Sequence, residues 1–272
     1  MEVGVVSCGV VNVSVSNHYS EATSVSDITT QGLLGEQLEV LEEGETHIHV
    51  RQADGYQSWI PEDQLVLNAP ENGTDILVRS HFIRIYTKPT VSSIGVRDAV
   101  IGSKLKAVDE QGGWYRIALP DGSFGWAEKG HFGKLLKFSP ENIISLAREF
   151  LGYQYFWGGL TPKGFDCSGL VQTVFGLHGV KLLRDSWQQQ EHHQLSTDYL
   201  DAQPGDLLFF SNKPDRVTHV AISLGRQKYI HASGWVRLDS FNVNDDIFEK
   251  QRSQSFVSVN RYPLVVNRNK TL

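Results

Sequence analysis

The sequence has little of what marks several common classes of protein. It contains two cysteines in 272 residues, Cys8 and Cys167, which are too few for the disulfide framework of a small secreted domain. It contains no run of lysine or arginine, and its formal net charge at pH 7 is −6. Binding to nucleic acid or to an anionic membrane without sequence preference normally needs a basic face, so we expect neither partner.

Long apolar runs are also missing. Runs such as Gly205–Phe210 are far shorter than the roughly 20 residues of a bilayer-spanning helix. The first six residues, Met1–Val6, have neither the basic segment nor the extended apolar segment of a signal peptide. We therefore expect a cytoplasmic protein, although a chain trimmed of an export signal would have the same sequence. The hydrophobic content of 40% is enough for more than one core.

The first half of the chain contains an internal duplication. The segment Asp54–Ile60 aligns with Asp121–Ala127 at an offset of 67 residues (121 − 54). The same ungapped register pairs Gly35 with Gly102, Leu38 with Leu105, Glu43 with Glu110 and Val50 with Ile117. Agreement at this many positions indicates a repeat. Alternating apolar residues and an Asp-Gly turn in each copy predict short strands joined by tight hairpins, and hence two small β-barrels.

From about residue 137 the pattern changes to helices followed by strands. Ser139 before Pro140 is typical of a helix start, and Gly152 ends this first helix. A second helix is predicted over Asp166–His178, with Asp166 as its cap. Apolar segments at 206–210, 218–224, 228–232 and 256–260 follow and predict strands. Helices followed by an antiparallel sheet give an α+β domain.

Cys167 stands at the predicted start of the second helix, and this position suits a reactive thiol. Unpaired backbone N–H groups and the helix dipole favour a thiolate there, which lowers a pKa of about 8.5 in a free peptide. The backbone amide of Cys167 would contribute to an oxyanion hole. Glycines at 158, 159 and 164 allow close backbone approach at a cleft. The alternative is a structural cysteine, which is the commoner situation for an isolated cysteine on an amphipathic helix.

Two histidines on strand-like segments complete the candidate site. His219 is our candidate for the imidazolium beside the thiolate of Cys167. His231, twelve residues further on, would accept the other ring N–H of His219 and fix its tautomer and orientation. Together the three residues predict the acyl-transfer chemistry of a thiol hydrolase.

Other histidines do not predict a metal site. His47 and His49 would share one face of a strand, and His192 and His193 are adjacent. Neither pair has cysteine or carboxylate partners at the spacing of zinc ligands. No glycine loop suited to phosphate is visible either, so we expect no metal and no cofactor.

The motifs around Cys167 resemble those of the NlpC-type papain-like cysteine peptidases of bacterial cell walls. They span residues 138 to 262 and follow the order and spacing of that family: Tyr155–Gly159, Gly164–Leu170, Arg184–Ser186, Gln203–Leu207 and His219–Ile222. One departure is Leu183, where the family usually has proline. The two repeats resemble bacterial SH3-like domains, which commonly accompany cell-wall hydrolases. In the first copy Ser58 replaces the usual glycine before the tryptophan.

The resemblance implies a multidomain chain, with two small SH3-like β-barrels followed by an α+β papain-like cysteine peptidase domain. We place the first SH3-like domain at residues 1–69, the second at 70–136 and the peptidase domain at 137–265. The resemblance also implies a triad of Cys167, His219 and His231. The implied reaction is cleavage of peptidoglycan stem peptides at the γ-D-glutamyl bond to a diamino acid, either meso-diaminopimelate or lysine.

The order of domains resembles one subgroup of this family. That subgroup takes free murein tripeptides or tetrapeptides with an unblocked N-terminal L-alanine, as in cell-wall recycling. A buried ammonium group needs carboxylates or other acceptors as partners. Asp166 and Ser168, which flank Cys167, are candidates for substrate binding, and the family motifs add Trp157 and Ser186. We expect the enzyme to be a monomer.

In the same subgroup the first SH3-like domain leans over the cleft and closes it. Glu21 and Tyr56 are candidates for that contact, because their counterparts in the second repeat are Lys88 and Ser123. A residue that differs between repeats is free to serve something other than the barrel. We hypothesise that Glu21, Tyr56 and Asp166 hold the ammonium group of L-alanine.

Two other functions fit the same residues. The thiol site could cleave another amide, as an amidase or an acyltransferase. Alternatively, the chain could be a non-catalytic wall-binding module in which the SH3-like pair binds and Cys167 has no measurable role. The presence of the cysteine and both histidines favours an enzyme.

Overall fold

The structure is a computed structural model that describes residues 7–191 and 194–262. His192 and His193, considered above as metal ligands, lie outside the described residues. The chain divides into two compact units, Met1–Lys134 and Leu135–Leu272. The predicted limits 1–69, 70–136 and 137–265 stay a prediction. No helix in the described part of the chain is long and apolar enough to cross a membrane.

The first unit begins with a seven-stranded antiparallel sheet. Its strands are β1 (Ser7–Val11), β2 (Val15–Tyr19), β3 (Ile28–Leu33), β4 (Gln37–Glu43), β5 (His47–Arg51), β6 (Gln57–Pro61) and β7 (Leu65–Leu67). They follow the spatial order β3-β2-β6-β5-β4-β1-β7. A single 3₁₀ turn, Glu62–Gln64, leads into β7. The Asp-Gly pair at 54–55 forms the predicted hairpin turn between β5 and β6, with Gly55 at φ +88°.

The second sheet of this unit repeats the first strand for strand. It consists of β8 (Thr74–Val78), β9 (Phe82–Tyr86), β10 (Gly95–Val100), β11 (Lys104–Gln111), β12 (Trp114–Ala118), β13 (Phe124–Glu128) and β14 (Phe132–Gly133). The spatial order is β10-β9-β13-β12-β11-β8-β14, which is the order of the first sheet moved on by seven strands. The prediction of a duplicated SH3-like barrel is confirmed.

The two barrels of this unit pack closely together. Leu34 of the first repeat is fully buried in the core of the second, among residues such as Ile85 and Leu105. Gly35 follows with φ +83°, and a Cβ atom there would lie 2.1 Å from the carbonyl oxygen of Lys104. Only glycine therefore permits this approach of the two backbones.

The second unit contains the two predicted helices, two further short helices and a six-stranded antiparallel sheet. The helices are α1 (Pro140–Glu149), α2 (Cys167–Gly176), α3 (Ser186–Gln190) and α4 (Lys250–Gln254). A two-stranded hairpin, β15 (Leu160–Thr161) and β16 (Gly164–Phe165), precedes α2. The large sheet contains β17 (Gln194–Ser196), β18 (Leu207–Phe210), β19 (His219–Gly225), β20 (Lys228–Ser233), β21 (Trp235–Ser240) and β22 (Phe256–Asn260). Its order is β17-β22-β18-β19-β20-β21, and the predicted α+β class is confirmed.

The helix starts predicted from sequence are present, whereas some short elements were missed. Ser139 accepts a hydrogen bond from the backbone of Asn142 and caps α1. Asp166 caps α2 by accepting from the backbone of Gly169. The missed helices and strands are α3, α4, β15, β16, β17 and β21, which are short or lack the periodic apolar pattern that predicts longer elements.

The two barrels fill one equivalent interior position with different chemistry. In the first barrel His18 is fully buried, and its Nδ1 atom lies 3.0 Å from the Oγ atom of Ser58. At the corresponding positions the second barrel has Ile85 and Gly125, and a Cβ atom at Gly125 would lie 2.4 Å from Ile85 Cγ2. Ile85 therefore needs a glycine beside it, because a larger residue at position 125 would clash with it. His18 instead has Ser58 beside it as a hydrogen-bond partner.

Replacing His18 and Ser58 of the first barrel by the isoleucine and glycine of the second tests whether the two pairs are interchangeable. We expect the double variant His18→Ile with Ser58→Gly to lose less free energy of unfolding than the two single variants lose together. The difference, which is the coupling energy, should be about 1–3 kcal/mol. His18→Ile alone would crowd Ser58, and Ser58→Gly alone would leave buried Nδ1 without its partner. Urea unfolding followed by tryptophan fluorescence measures the four free energies, and simple additivity would contradict the prediction.

The burial of His18 also predicts how the free energy of unfolding depends on pH. Burial lowers the pKa of His18 to about 3 from an ordinary value of 6.5. Between these pH values the unfolded chain takes up a proton that the folded chain excludes, so the free energy of unfolding should fall as the pH drops through this window. The double variant should lose part of that slope. Equal slopes for both proteins would show that His18 does not contribute.

Candidate active site

The site is built around a buried ion pair at the start of α2. The guanidinium group of Arg184, whose side chain is 1% exposed, donates to Asp166 Oδ2 at 2.6 Å and to Oδ1 at 3.2 Å. Asp166 also accepts from the backbone N–H groups of Gly169 at 2.6 Å and Gly158 at 3.0 Å. One carboxylate therefore caps α2, holds the preceding loop and neutralises a buried arginine.

Two further polar side chains complete this cluster. Ser168 Oγ donates to Asp166 Oδ1 at 3.2 Å and accepts from Arg184 Nη1 at 2.9 Å. The side-chain amide of Gln189, on α3, donates to the backbone carbonyl oxygen of Ser168 at 3.2 Å. Ser186 is buried at the first position of α3. The predicted residues Asp166, Ser168 and Ser186 thus belong to the same unit of the chain and lie at the starts of α2 and α3.

Glycines before Cys167 allow the loop to contact α2 directly. A Cβ atom at Gly169 would lie 2.0 Å from the carbonyl oxygen of Gly159, and one at Gly159 would lie 2.2 Å from that of Gly164. Gly158 has φ +78°. Side chains at these positions would push the loop away from the helix terminus. The close backbone approach expected from sequence is therefore present.

Cys167 is the first residue of α2, and its environment contains opposing influences. Burial and the neighbouring charge of Asp166 raise the pKa of the thiol to about 11, while the backbone N–H groups of Val220 and Ser168 favour the thiolate. The contribution of Val220 puts the sulfur beside the first residues of β19. The lowered pKa expected from the helix start is therefore wrong, because burial and the charge of Asp166 outweigh the backbone N–H groups. Attack through sulfur then requires a base that removes the thiol proton during the reaction.

The two predicted histidines are in direct contact on adjacent strands. His219 begins β19, and its Nε2 atom lies 2.7 Å from Nδ1 of His231 on β20. Both side chains are buried, and the two rings are nearly perpendicular. Burial, followed by the nearby charges of His231, Arg252 and Arg237, holds the pKa of His219 well below its ordinary value. The pair therefore rests in its neutral form, which can accept a proton.

A third side chain extends this chain of hydrogen bonds and was missed in the sequence. Asp239 on β21 accepts from His231 Nε2 at 2.8 Å and from Arg237 Nη2 at 3.0 Å. In the hairpin of β20 and β21 the residue opposite His231 is Arg237, and Asp239 is its diagonal neighbour. Gly234 is the residue from which this contact could have been predicted. A tight turn at Gly234 pairs His231 with Arg237 and so brings Asp239 diagonally beside His231.

Tyr155 is a second residue of the site for which the sequence pattern indicated no separate role. Its phenol is partly buried, and burial followed by the charges of Cys167 and Asp166 raises its pKa above the usual range. Its backbone N–H donates to the carbonyl oxygen of Gly234 at 2.9 Å. The loop that carries Tyr155 is thus attached to the turn between the His231 strand and the Asp239 strand.

The remaining candidates have more exposed positions. Trp157, in the loop before α2, is 67% exposed. Glu21 is exposed between β2 and β3, and the backbone N–H of Tyr56 donates to Asp54 Oδ1 in its hairpin. Glu21 and Tyr56 belong to the unit Met1–Lys134, whereas Cys167 belongs to the unit Leu135–Leu272. Their part in substrate binding stays a prediction.

The described histidines of the first barrel are engaged with other side chains. His47 lies 3.0 Å from Ser24 Oγ and 2.9 Å from Thr46 Oγ1 through its two ring nitrogens. His49 stacks on Trp59 with the ring centroids 4.7 Å apart. Across residues 7–191 and 194–262, no group of three or more histidine, cysteine or acidic side chains is arranged to hold a metal ion.

Comparison with known families identifies relatives of both parts of the chain. Residues 152–256 match the NlpC/P60 family, and residues 19–65 match the bacterial dipeptidyl-peptidase SH3 domain. A γ-D-glutamyl-L-lysine dipeptidyl-peptidase of Bacillus cereus is 30% identical over 230 residues, which cover 77% of this chain and 68% of that protein. Dipeptidyl-peptidase 6 of Lysinibacillus sphaericus is 28% identical, with 80% of this chain and 85% of that protein covered.

A solved structure has the same fold. It is an NlpC/P60 family protein from Bacillus cereus, with a TM-score of 0.78 and 23% sequence identity over 94% of this chain and 99% of that one. The chain belongs to the NlpC/P60 family and is a cysteine peptidase that acts on a peptide substrate. The family predicted from the motifs is therefore confirmed.

The buried ion pair predicts a large effect of Arg184 on stability. Arg184→Met leaves the Asp166 carboxylate buried without its counterion, and we expect the free energy of unfolding to fall by about 3–5 kcal/mol. Lys228→Met is the matched control, because Lys228 pairs with Asp245 at 3.6 Å and is 47% exposed. That variant should change stability by less than about 1 kcal/mol. Similar urea unfolding curves for the two variants would contradict the prediction.

Proposed function

We propose that the enzyme cleaves the γ-D-glutamyl bond to a diamino acid in free murein tripeptides or tetrapeptides, and that Cys167, His219 and His231 are its catalytic residues. The observation that carries this proposal is the Cys167 thiol at the start of α2, beside the strand whose first residue, His219, is hydrogen-bonded to His231. The names of the Bacillus cereus and Lysinibacillus sphaericus relatives support a dipeptidyl-peptidase type of cleavage.

The first step is proton transfer coupled to attack by sulfur. Nε2 of His219 is engaged with His231, so Nδ1 is the ring nitrogen that is left to take the thiol proton. The sulfur of Cys167 then forms a bond to the carbonyl carbon of the γ-D-glutamyl amide, and the π electrons of the carbonyl move to its oxygen. A tetrahedral intermediate with a negative oxygen results.

The oxyanion needs hydrogen-bond donors that are already in position. The backbone N–H of Cys167, in the first turn of α2, is one donor, since the first N–H groups of a helix have no partner within it. We assign the second to the hydroxyl group of Tyr155, because the backbone of Tyr155 pairs with Phe165, two residues before Cys167, and with Gly234 at the turn after the His231 strand. The phenol keeps its proton at neutral pH and can therefore donate it.

The intermediate collapses by breaking the carbon–nitrogen bond. His219 returns its proton to the departing amine of the diamino acid, and the dipeptide stays on Cys167 as a thioester. His219 then takes a proton from water, which attacks the thioester carbon. The dipeptide L-Ala-D-Glu leaves, and the sulfur recovers its proton from His219.

We propose that recognition of the substrate amine involves Glu21, Tyr56 and Asp166. Both oxygens of Asp166 already accept hydrogen bonds from Arg184 and from backbone N–H groups. Its contribution would therefore come from its charge, and direct contacts would come from the other two residues. Ser168, Ser186 and Trp157 remain the candidates for the rest of the substrate.

A site that requires a free amine would exclude stem peptides still joined to glycan. We therefore propose a role in recycling of released murein peptides. We further propose that the enzyme acts in the cytoplasm as a monomer. Its net charge of −6 supports the absence of nucleic-acid and anionic-membrane partners.

Mass spectrometry of two synthetic peptides tests the proposed function. One is L-Ala-γ-D-Glu joined to meso-diaminopimelate or lysine, and the other is the same peptide with an acetylated amine. We expect release of L-Ala-D-Glu from the free peptide alone and no cleavage by the Cys167→Ala variant. Cleavage of both peptides would retain the chemistry but contradict the amine requirement. Cleavage of neither would favour another amide substrate or a wall-binding module.

Steady-state kinetics of Glu21→Gln test the amine contact. We expect KM for the free peptide to rise by about tenfold or more, because a charge-assisted hydrogen bond is lost, with kcat nearly unchanged. Glu45→Gln, which alters another exposed loop glutamate of the same unit, is the matched control and should leave KM as it is. If Glu21→Gln behaves like this control, Glu21 does not bind the substrate amine.

A further inference from the structure

We propose that Asp239 is a positioning residue for the reaction, fourth in a chain of Cys167, His219, His231 and Asp239. The proposal rests on the proposed function, because it assigns a role relative to the two proposed catalytic histidines. Its basis is the continuous line of hydrogen bonds from His219 Nε2 to His231 Nδ1 at 2.7 Å, and from His231 Nε2 to Asp239 Oδ2 at 2.8 Å.

The hydrogen bonds determine which nitrogen of each histidine carries a proton. An ionised carboxylate only accepts, so Asp239 requires the proton of His231 to lie on Nε2. Nδ1 of neutral His231 then has a lone pair and must accept from Nε2–H of His219. This leaves Nδ1 of His219 unprotonated, which is the state needed to remove the proton of the thiol.

The surroundings keep Asp239 ionised. Burial acts to raise its pKa, but the hydrogen bond from His231 and the guanidinium group of Arg237 together hold that pKa below the ordinary value. Arg237 also reaches Glu249 Oε2 at 3.4 Å, so its charge is shared between two carboxylates. Asp239 is thus a fixed acceptor at the end of the chain.

The same carboxylate offsets positive charge when His219 is protonated. Arg237 and Arg252 both act to lower the pKa of His219 and of His231, so they oppose an imidazolium in this pair. Tyr229, whose ring packs on His231, is neutral at pH 7, because burial raises the pKa of its phenol. Asp239 is the acidic group in hydrogen-bond contact with His231, and its removal would leave the protonated pair opposed by two guanidinium groups.

The hairpin of β20 and β21 holds Asp239 in place. Tyr229 lies opposite Asp239 and Arg237 lies opposite His231, in an uninterrupted register from Lys228 to Ser233. Asp239 is buried, and Gly234 makes the turn with φ +75°. A carboxylate on a paired strand positions the imidazole with little freedom, as a hydrogen-bonded orienting group requires.

Histidine tautomers provide a test that a purely structural role would not affect. Long-range ¹H–¹⁵N NMR spectra of the enzyme with ¹⁵N-labelled histidine should show His219 and His231 with the proton on Nε2. In Asp239→Asn the amide can either accept from His231 or donate to it, so Nδ1–H forms should appear. Finding either histidine as the Nδ1–H form in the unaltered enzyme would overturn the proposal, even if every variant failed to fold.

Kinetics of the same variant give the second readout. Asp239→Asn should lower kcat at least about tenfold with KM within about twofold, because the base is impaired while substrate contacts remain. Asp206→Asn is the matched control, since Asp206 is also buried and accepts from Arg261 at 2.8 and 2.7 Å. The control should lower the melting temperature without changing the tautomers.

The outcomes separate this proposal from the proposed function. If the unaltered enzyme cleaves the free peptide and Asp239→Asn has the kcat and tautomers of Asp206→Asn, Asp239 has no positioning role although the function stands. If the unaltered enzyme cleaves no murein peptide but shows the Nε2–H tautomers, the positioning role stands and the substrate is wrong.

Discussion

The buried ion pair of Asp166 and Arg184 is the interaction on which the peptidase site depends. Removing two charges from water costs several kcal/mol for each ion, and the attraction between them compensates only when their remaining hydrogen-bonding groups are satisfied. Here the carboxylate also receives two backbone N–H groups and a serine hydroxyl. Because Cys167 follows Asp166 directly, the groups that satisfy the charge also determine where α2 begins and where its first backbone N–H points.

Local patterns in the sequence predicted the elements that carry the site, but not the contacts that hold it. Capping residues predicted the starts of both long helices, and short apolar segments predicted the strands of His219 and His231, since both signals act within a few residues. Arg184 and Asp239 were not assigned their partners, because each contact depends on how separate segments meet. Arg184 comes from a loop after α2, and the register of a hairpin brings Asp239 to His231.

The duplicated barrels show which part of a sequence determines strand order. Both copies have the same seven-stranded order, although one buries His18 with Ser58 and the other buries Ile85 with Gly125. Turn residues and alternation are shared by the copies, whereas the chemistry of this interior position is not. Strand order therefore follows from the turn residues and from the alternation of apolar and polar residues along each strand. Inside the barrel, the two side chains of a neighbouring pair have only to fit each other in volume.

The site favours a neutral resting state, and this constrains how the reaction begins. Burial raises the pKa of Cys167 to about 11 and lowers that of His219, so both shifts keep the proton on sulfur. A thiolate–imidazolium pair would place two charges in a site with little water, at a cost that only further contacts could offset. The negative charge is better placed on the substrate oxygen, where the N–H of Cys167 can receive it, while Asp239 opposes the positive charge on the histidines. In such a site charge separation accompanies attack on the substrate, and the free enzyme does not have to sustain it.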